Sequence, residues 1–341
     1  MEIENKKSYA FKNISHLFAY LNTDFIPVNK PLNIFIILPT NNASVDSMKY
    51  LADKKGLFFE IKERGEDIYT VEIGVRKKQI EGYIIPLKSF WLFFTFYNSQ
   101  KARQSLKSFM RHLSSLFSLG YIPSDNLLNF LSEMRKKYDI TLHESFIRTE
   151  KKTMKQWMKQ RQKLNEKIIE RMRNMEGKWI AITFKAYING FEKFYCRIHE
   201  DGHITFYSGN FSDFYSTTVL SYGKICKEIN NRLSNRERKV WDDNVLLRPV
   251  VLQLKRTLSK RELETVSSKL LKYYSGGVFF VGNPMLLMTI VDNNNGSSFD
   301  LYARERKIEI VPLAKSTPAS LGNLIQIITD IIPDGSINLS Q

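Results

Sequence analysis

An acid and a lysine two residues apart, Glu60 and Lys62, are the first residues of the sequence whose types and spacing could do chemistry. They lie in a run with strand-like alternation, so both side chains are expected on one face of a sheet. Metal-dependent nucleases use an acid and a lysine in this arrangement, with an upstream acid that shares the metal. Asp46 and Asp53 are available for that role, although Asp53 falls in a helix-like segment. The pattern makes a metal-dependent nuclease an alternative function.

Two histidines, His199 and His203, bracket a Glu-Asp-Gly turn. A three-residue hairpin loop with glycine in the left-handed conformation sets the two imidazoles opposite each other on the polar face. The apolar pairs that this register predicts are Ile198 with Ile204 and Cys196 with Phe206. The imidazoles could bind a metal with Glu200 or Asp201, but no third strong ligand is evident. The spacing therefore favours an exposed histidine pair, with a metal site as the weaker alternative.

Other catalytic patterns are missing from the sequence. Neither a Gly-x-Ser-x-Gly elbow nor a Walker phosphate loop occurs, and His16, His112 and His143 have no evident chemical partners. Cys196 and Cys226 are the only cysteines, too few for a disulfide framework or a cysteine-based zinc site. We therefore expect a protein that binds rather than catalyses, with no cofactor.

Positive charge is concentrated in two segments. The chain of 341 residues has a formal net charge of +16. Residues 148–178 hold 11 Lys and Arg against four Asp and Glu, and residues 224–272 hold 13 against six. Such a surplus attracts polyanions, and its location indicates which surface would meet them.

The first basic segment is expected to be one long helix. Residues 151–175 contain no Pro or Gly, and nearly all are good helix formers. Basic side chains recur there every four residues and would wind slowly around the helix, as a phosphate backbone does. These predicted phosphate-binding residues are Lys155, Lys159, Lys163, Lys167 and Arg171.

The second basic segment repeats the pattern more loosely. Its predicted phosphate-binding residues are Arg236, Arg238, Lys239, Lys255, Arg256, Lys260 and Arg261. Val250, Leu254 and Leu258 fall at helical spacing, and Ser259 with Glu262 resembles a capping box that opens a further helix toward Tyr274.

Hydrophobic period and turn residues divide the rest of the chain into three similar stretches. Each begins near a glycine, continues through several strand-like segments and closes with a helix-compatible segment. The predicted fold class is α+β, with three antiparallel-sheet-plus-helix modules joined by long basic helical connectors. The predicted boundaries are 1–124 for an α/β-type start and the first module, 125–176 and 236–275 for the connectors, and 177–235 and 276–341 for the other modules.

Non-enzymatic, largely sequence-independent binding of DNA or RNA through phosphates is the function that these features favour. An interaction protein that binds an acidic partner or an anionic membrane surface is the other alternative. No secretory segment and no stretch of about 20 apolar residues is visible, so an intracellular protein without a transmembrane segment is expected. The oligomeric state is left open.

Overall fold

The computed structural model describes residues 11–23, 31–40, 43–75, 78–148, 154–156, 161–175, 177–234, 239–241, 244–246, 249–281, 285–313, 316–332 and 336–338. Within these ranges the fold is α+β, because it combines α-helices with antiparallel sheets. No helix in the described part of the chain is long and apolar enough to cross a bilayer.

The elements up to the middle of the chain are α1 (Ile14–Thr23), β1 (Leu32–Pro39), α2 (Val45–Lys54), β2 (Phe58–Arg64), β3 (Tyr69–Val75), β4 (Lys78–Pro86), β5 (Trp91–Thr95), α3 (Ser99–His112), β6 (Phe117–Leu119), α4 (Ser124–Arg135), β7 (Asp139–Arg148), β8 (Met154–Gln156), β9 (Gln162–Lys163) and α5 (Glu166–Arg173). A long hairpin and helix follow as β10 (Lys178–Ile188), β11 (Phe191–His199), β12 (His203–Gly209), α6 (Phe211–Phe214), a π-helical segment (Tyr215–Val219) and α7 (Leu220–Ser234). The remainder comprises β13 (Lys239–Trp241), β14 (Asn244–Leu246), β15 (Val250–Gln253), α8 (Lys260–Leu270), β16 (Tyr274–Val281), β17 (Met285–Asp292), β18 (Ser298–Arg304), β19 (Lys307–Pro312), α9 (Pro318–Ile331) and β20 (Ser336–Asn338).

One large sheet contains the strands of the first two predicted modules. Its order is β2-β3-β4-β5-β1-β12-β11-β10-β7-β8, with β6 also paired to β1 and β9 to β7. β1 joins the two halves, because it pairs antiparallel with β5 on one side and with β12 on the other. Residues 32–38 of β1 are all buried, as expected of a strand covered on both faces. The prediction of separate sheets for these two stretches is therefore wrong.

A second sheet contains the strands predicted for the third stretch. Its order is β16-β17-β18-β19-β15-β20. β15, which was assigned to a helical connector, pairs with β19 instead. The domain boundaries themselves stay a prediction.

Two hydrophobic cores cover different parts of the large sheet. The larger core joins one face of that sheet to α4, α7 and the second sheet with α8 and α9. The smaller core packs α2 and α3 on the opposite face of β1 to β5. Among the described residues it draws none from β7, β10, β11 or β12, so the core under α2 and α3 does not extend over that half of the face.

The long helix predicted over residues 151–175 is wrong. Its described parts are β8, β9 and only the short helix α5. Gln162 and Lys163 pair with β7, and the Leu164 N–H donates to the Ile140 carbonyl, so edge pairing overrides helix propensity. Asn165 then caps α5, since its side chain accepts from the Ile168 N–H.

The second connector is also only partly helical. Val250 begins the strand β15, so the helical spacing of Val250, Leu254 and Leu258 was misleading. The capping box at Ser259 and Glu262 is confirmed, and it opens α8, which ends at Leu270.

Candidate functional site

The half of the large sheet beyond the smaller core carries partly exposed aromatic and basic side chains. We call the outward side of β7, β10, β11 and β12 the open face. It is lined by the partly exposed residues His143, Phe146, Lys185, Tyr195, Arg197 and Tyr207. Strand register places them together, because Lys185 lies opposite Tyr195, and Arg197 lies opposite Thr183 on one side and Thr205 on the other.

Rings and cations alternate on the open face. The Tyr195 ring centroid lies 4.7 Å from that of Tyr207 and 5.1 Å from that of His143. The Arg197 guanidinium lies 5.3 Å from the Phe146 ring centroid and 5.9 Å from that of Tyr207. These are cation–π distances, so each cation is held against a ring.

Glutamates hold the cations of the open face in place. Arg197 Nη2 lies 2.5 Å from Glu144 Oε2, and Lys185 Nζ lies 2.6 Å from Glu192 Oε2. Each pair is locally neutral, so the face itself has little surplus charge. At the edge of this face β9 and β8 extend the sheet beyond β7, and they contain residues of the first basic segment. Burial, together with the nearby charges of Arg161 and Lys185, lowers the pKa of His143.

The β11–β12 hairpin has the predicted register. Ile198 pairs with Ile204, Cys196 pairs with Phe206, and the rings of His199 and His203 stack with centroids 4.5 Å apart. The expectation that this histidine pair is exposed is wrong, because His199 is 9% and His203 1% exposed.

The turn of this hairpin is buried because neighbouring strands and α3 enclose it. The Glu200 carbonyl accepts from the Ile122 N–H, and the Gly202 carbonyl accepts from the Ile36 N–H. From α3, Arg103 Nε and Lys107 Nζ lie 2.5 and 2.7 Å from Asp201 Oδ2. Although burial opposes ionisation, these two cations hold the pKa of Asp201 well below its usual value.

A buried lysine lies on the other side of the turn. Lys178 Nζ is 2.8 Å from Glu200 Oε2, 3.1 Å from Asp330 Oδ1 and 2.9 Å from Thr329 Oγ1. Burial favours the neutral amine, but the acidic groups around it, Glu200 foremost and Asp330 with it, together outweigh burial and raise the pKa of Lys178. The lysine therefore ties α9 to the large sheet as a charged group.

Burial keeps both imidazoles neutral. It lowers the pKa of His203 to about 3, and burial together with His203 lowers the pKa of His199 well below its ordinary value. Among the described residues, His199, Asp201 and His203 are the only three whose metal-binding atoms lie within 4.8 Å of one another. The sequence pattern pointed to the two histidines and to Asp201. It gave no sign of Arg103 or Lys107, because these residues are about 100 positions away along the chain.

The nuclease candidates lie on the other half of the large sheet. Lys62 Nζ is 2.9 Å from Glu72 Oε2 and 3.6 Å from Glu81 Oε1, while Asp46 pairs with Arg64 at 2.7 Å. Asp46 is in α2, and neither it nor Glu60 belongs to a metal-binding group of three in the described ranges. The nuclease alternative at Glu60 and Lys62 therefore stays a prediction.

The predicted phosphate-binding residues are scattered over several elements. Lys163, Lys167 and Arg171 are exposed on β9 and α5, and Lys163 pairs with Asp139 at 2.8 Å. The backbones of Lys155 and Lys239 lie in β8 and β13. Three further candidates lie outside the described residues: Lys159, Arg236 and Arg238.

The two basic segments meet in the fold. Lys255 Nζ donates to the Met175 carbonyl over 3.3 Å, which brings the second segment against the end of the first. Arg256 binds Glu262 through two hydrogen bonds, whereas Lys260 and Arg261 are exposed at the start of α8. The basic segments are thus neighbours.

Gly202 should be the least replaceable residue of the hairpin turn. Its φ is +73°, and an added Cβ would lie 2.6 Å from the Gly120 carbonyl oxygen. We expect Gly202→Ala to destabilise the fold by about 2–3 kcal/mol, through backbone strain and this close contact. Gly190→Ala is the matched control, because its φ is +81° but nothing lies within 4 Å of its Cβ. Urea unfolding should give a clearly smaller loss for Gly190→Ala, and equal losses would contradict the close contact.

Neither a protein-family model nor a curated protein sequence matches this chain.

Proposed function

We propose that this chain binds single-stranded nucleic acid on the open face. The observation that carries the proposal is the alternation of partly exposed rings and cations on one sheet surface, with Tyr195, Tyr207 and Arg197 at its centre. Bases stack on tyrosine rings and on guanidinium planes whatever their identity, because every base has a π face. Such a surface suits unpaired bases, which a duplex would keep stacked inside the helix.

Stacking and phosphate contact are assigned to different parts of this surface. Glu144 and Glu192 neutralise the cations beside the rings, so the open face offers stacking more than net attraction. Phosphate contacts are assigned to the exposed cations Arg161 and Lys167 of the first basic segment, whereas Lys163 is paired with Asp139. Neither stacking nor phosphate contact depends on the base sequence of the nucleic acid. The charge distribution of the chain alone also predicts binding that is largely sequence-independent.

Replacing a stacking tyrosine should weaken binding without affecting the fold. We expect Tyr195→Ala and Tyr207→Ala each to raise the Kd for a labelled single strand by about 5- to 150-fold, since stacking contributes about 1–3 kcal/mol per base. Fluorescence anisotropy with DNA and RNA 20-mers measures this effect. Tyr50→Ala is the matched control, because Tyr50 is 66% exposed on α2, away from the open face.

Salt and duplex competition complete the test. Affinity should fall steeply with salt, and the slope should become shallower when Arg161 and Lys167 are replaced by Gln. A matched duplex should compete less well than a single strand. Equal Kd values for the two tyrosine variants and Tyr50→Ala would overturn the proposal, as would binding to anionic vesicles or an acidic protein without binding to any oligonucleotide.

A further inference from the structure

We propose that His199, Asp201 and His203 form a binding site for one transition-metal dication of the zinc type. Their three metal-binding atoms lie within 4.8 Å of one another at the β11–β12 turn. This proposal does not depend on nucleic-acid binding, because its three ligands are different residues from those that line the open face.

The three side chains present ligand atoms that nothing else in the described chain uses. His199 Nδ1, His203 Nδ1 and Asp201 Oδ1 are buried and have no hydrogen-bond partner among the described residues. Leaving one buried polar atom unpaired costs about 1–3 kcal/mol, so three at one place favour a bound species that pairs with them. A metal ion and a bridging water are the two occupants that could satisfy all three.

The tautomer of His203 is set for metal binding by Asn33. The Asn33 amide nitrogen donates to the carbonyls of Tyr97 and Pro31, at 2.8 and 3.3 Å, so its Oδ1 is the acceptor. His203 Nε2 lies 2.9 Å from that oxygen and must therefore carry the proton. The lone pair is left on Nδ1, the unpartnered atom. Metal-binding histidines are oriented in this way by an acceptor on their other nitrogen.

The two carboxylate oxygens of Asp201 also have separate roles, one in orienting the side chain and one as the metal ligand. Arg103 and Lys107 both bind its Oδ2, which leaves Oδ1 available. The two cations keep the carboxylate ionised and fix its orientation, as hydrogen-bonding groups around metal-binding carboxylates do.

The ligand set and its surroundings select the class of metal. Two imidazoles and one carboxylate suit zinc and its neighbours Fe²⁺, Co²⁺ and Ni²⁺. Mg²⁺ and Ca²⁺ prefer oxygen ligands and rely on carboxylate charge. Here one carboxylate faces Arg103 and Lys107, so these hard cations are disfavoured. Three protein ligands leave an open coordination position beside those two cations.

Metal binding requires the His199 ring to turn. The planes of the two rings are 17° apart, and the other side of the His203 ring stacks on Phe35 with centroids 4.3 Å apart. The lone pair of an imidazole nitrogen lies in the plane of the ring. Two nearly parallel, stacked rings therefore cannot both direct a lone pair at one ion. His203 is held by Phe35 and Asn33, whereas His199 is closer to solvent, so His199 is the ring that turns. The ligand atoms then need to close to roughly 3.3 Å, the spacing set by zinc bonds of about 2.0–2.1 Å in a tetrahedron.

Metal titration of the full chain tests this site. After chelator treatment and dialysis, we expect one equivalent of Zn²⁺ to bind in competition with a chromophoric chelator, and Co²⁺ to give visible absorption of a low-coordinate site. Mg²⁺ should not compete. His203→Gln and Asp201→Asn should each lower Zn²⁺ affinity more than 100-fold, and Asn33→Leu should lower it about 10- to 100-fold by releasing the His203 ring.

His16→Gln is the matched control, because His16 is an exposed histidine on α1. It should leave the stoichiometry and the Co²⁺ spectrum unchanged, and circular dichroism establishes which variants are folded. If the parent chain binds no Zn²⁺ or Co²⁺, a bridging water occupies the turn and the proposal is wrong. It is equally wrong if folded His203→Gln and Asp201→Asn both bind Zn²⁺ as tightly as the parent.

Discussion

Replacing Lys178 with methionine is expected to destabilise the fold by about 3–5 kcal/mol, the usual cost of removing one partner of a buried ion pair. The Lys178 side chain is 5% exposed and that of Glu200 is 7% exposed, so the substitution leaves a carboxylate with neither its cation nor water. The substitution also removes the link from β10 to Thr329 and Asp330 of α9. Urea unfolding measures the loss.

A double-mutant cycle separates the buried charge from the lost contacts. The double variant K178M/E200Q should recover much of the loss, because no uncompensated charge then remains. Lys185→Met is the matched control, since the side chains of Lys185 and Glu192 are 22% and 32% exposed and such pairs contribute about 1 kcal/mol or less. Equal losses for Lys178→Met and Lys185→Met would contradict the assignment of a buried pair.

Local elements of the fold could be predicted from the sequence. Periodicity and turn residues placed the strands of the β10 to β12 region and the helix α7, and Ser259 with Glu262 marked the start of α8. These signals act between residues close in the chain, so they are present in the sequence itself.

The union of the first two sheets could not be predicted in this way. It depends on β1 pairing with β12 far along the chain, and hydrophobic period does not specify which strand is a neighbour. The long helix was wrong for the same reason, because pairing with β7 decides the conformation of residues 162–163. Asn165 was a local warning, since asparagine favours helix starts over helix interiors.

In the candidate sites, too, local patterns could be predicted from the sequence and long-range contacts could not. Alternation along β11 places Tyr195 and Arg197 on one side and the buried Phe194 and Cys196 on the other, so the open face was accessible to a period-two analysis. The histidine register was also accessible. The burial of the turn was not, because it depends on Arg103 and Lys107 of α3, which only the fold brings to Asp201.

Acid should destabilise the metal-free protein well before its carboxylates titrate. An unfolded histidine has a pKa of about 6.5, whereas burial lowers the pKa of His203 to about 3 in the native state. Between these two pKa values, His203 is protonated in the unfolded chain and neutral in the native protein. The stability that this ring contributes is therefore complete above pH 6.5 and is lost as the pH falls toward 3. His199, whose pKa shifts in the same direction, adds to the loss.

The expected slope is about 1.4 kcal/mol per pH unit for each buried imidazole below pH 6.5. Urea unfolding at pH 7.5, 6.5, 5.75 and 5, with chelator present, measures it above the ordinary pKa values of Asp and Glu. His203→Gln should be less stable than the parent at pH 7.5 but should have a slope shallower by about one imidazole. His16→Gln should keep the parental slope, because His16 is an exposed residue of α1 and does not belong to the buried histidine pair. Parallel slopes for the parent and His203→Gln would mean that the native protein accommodates a charged His203, which its position between Phe35 and His199 argues against.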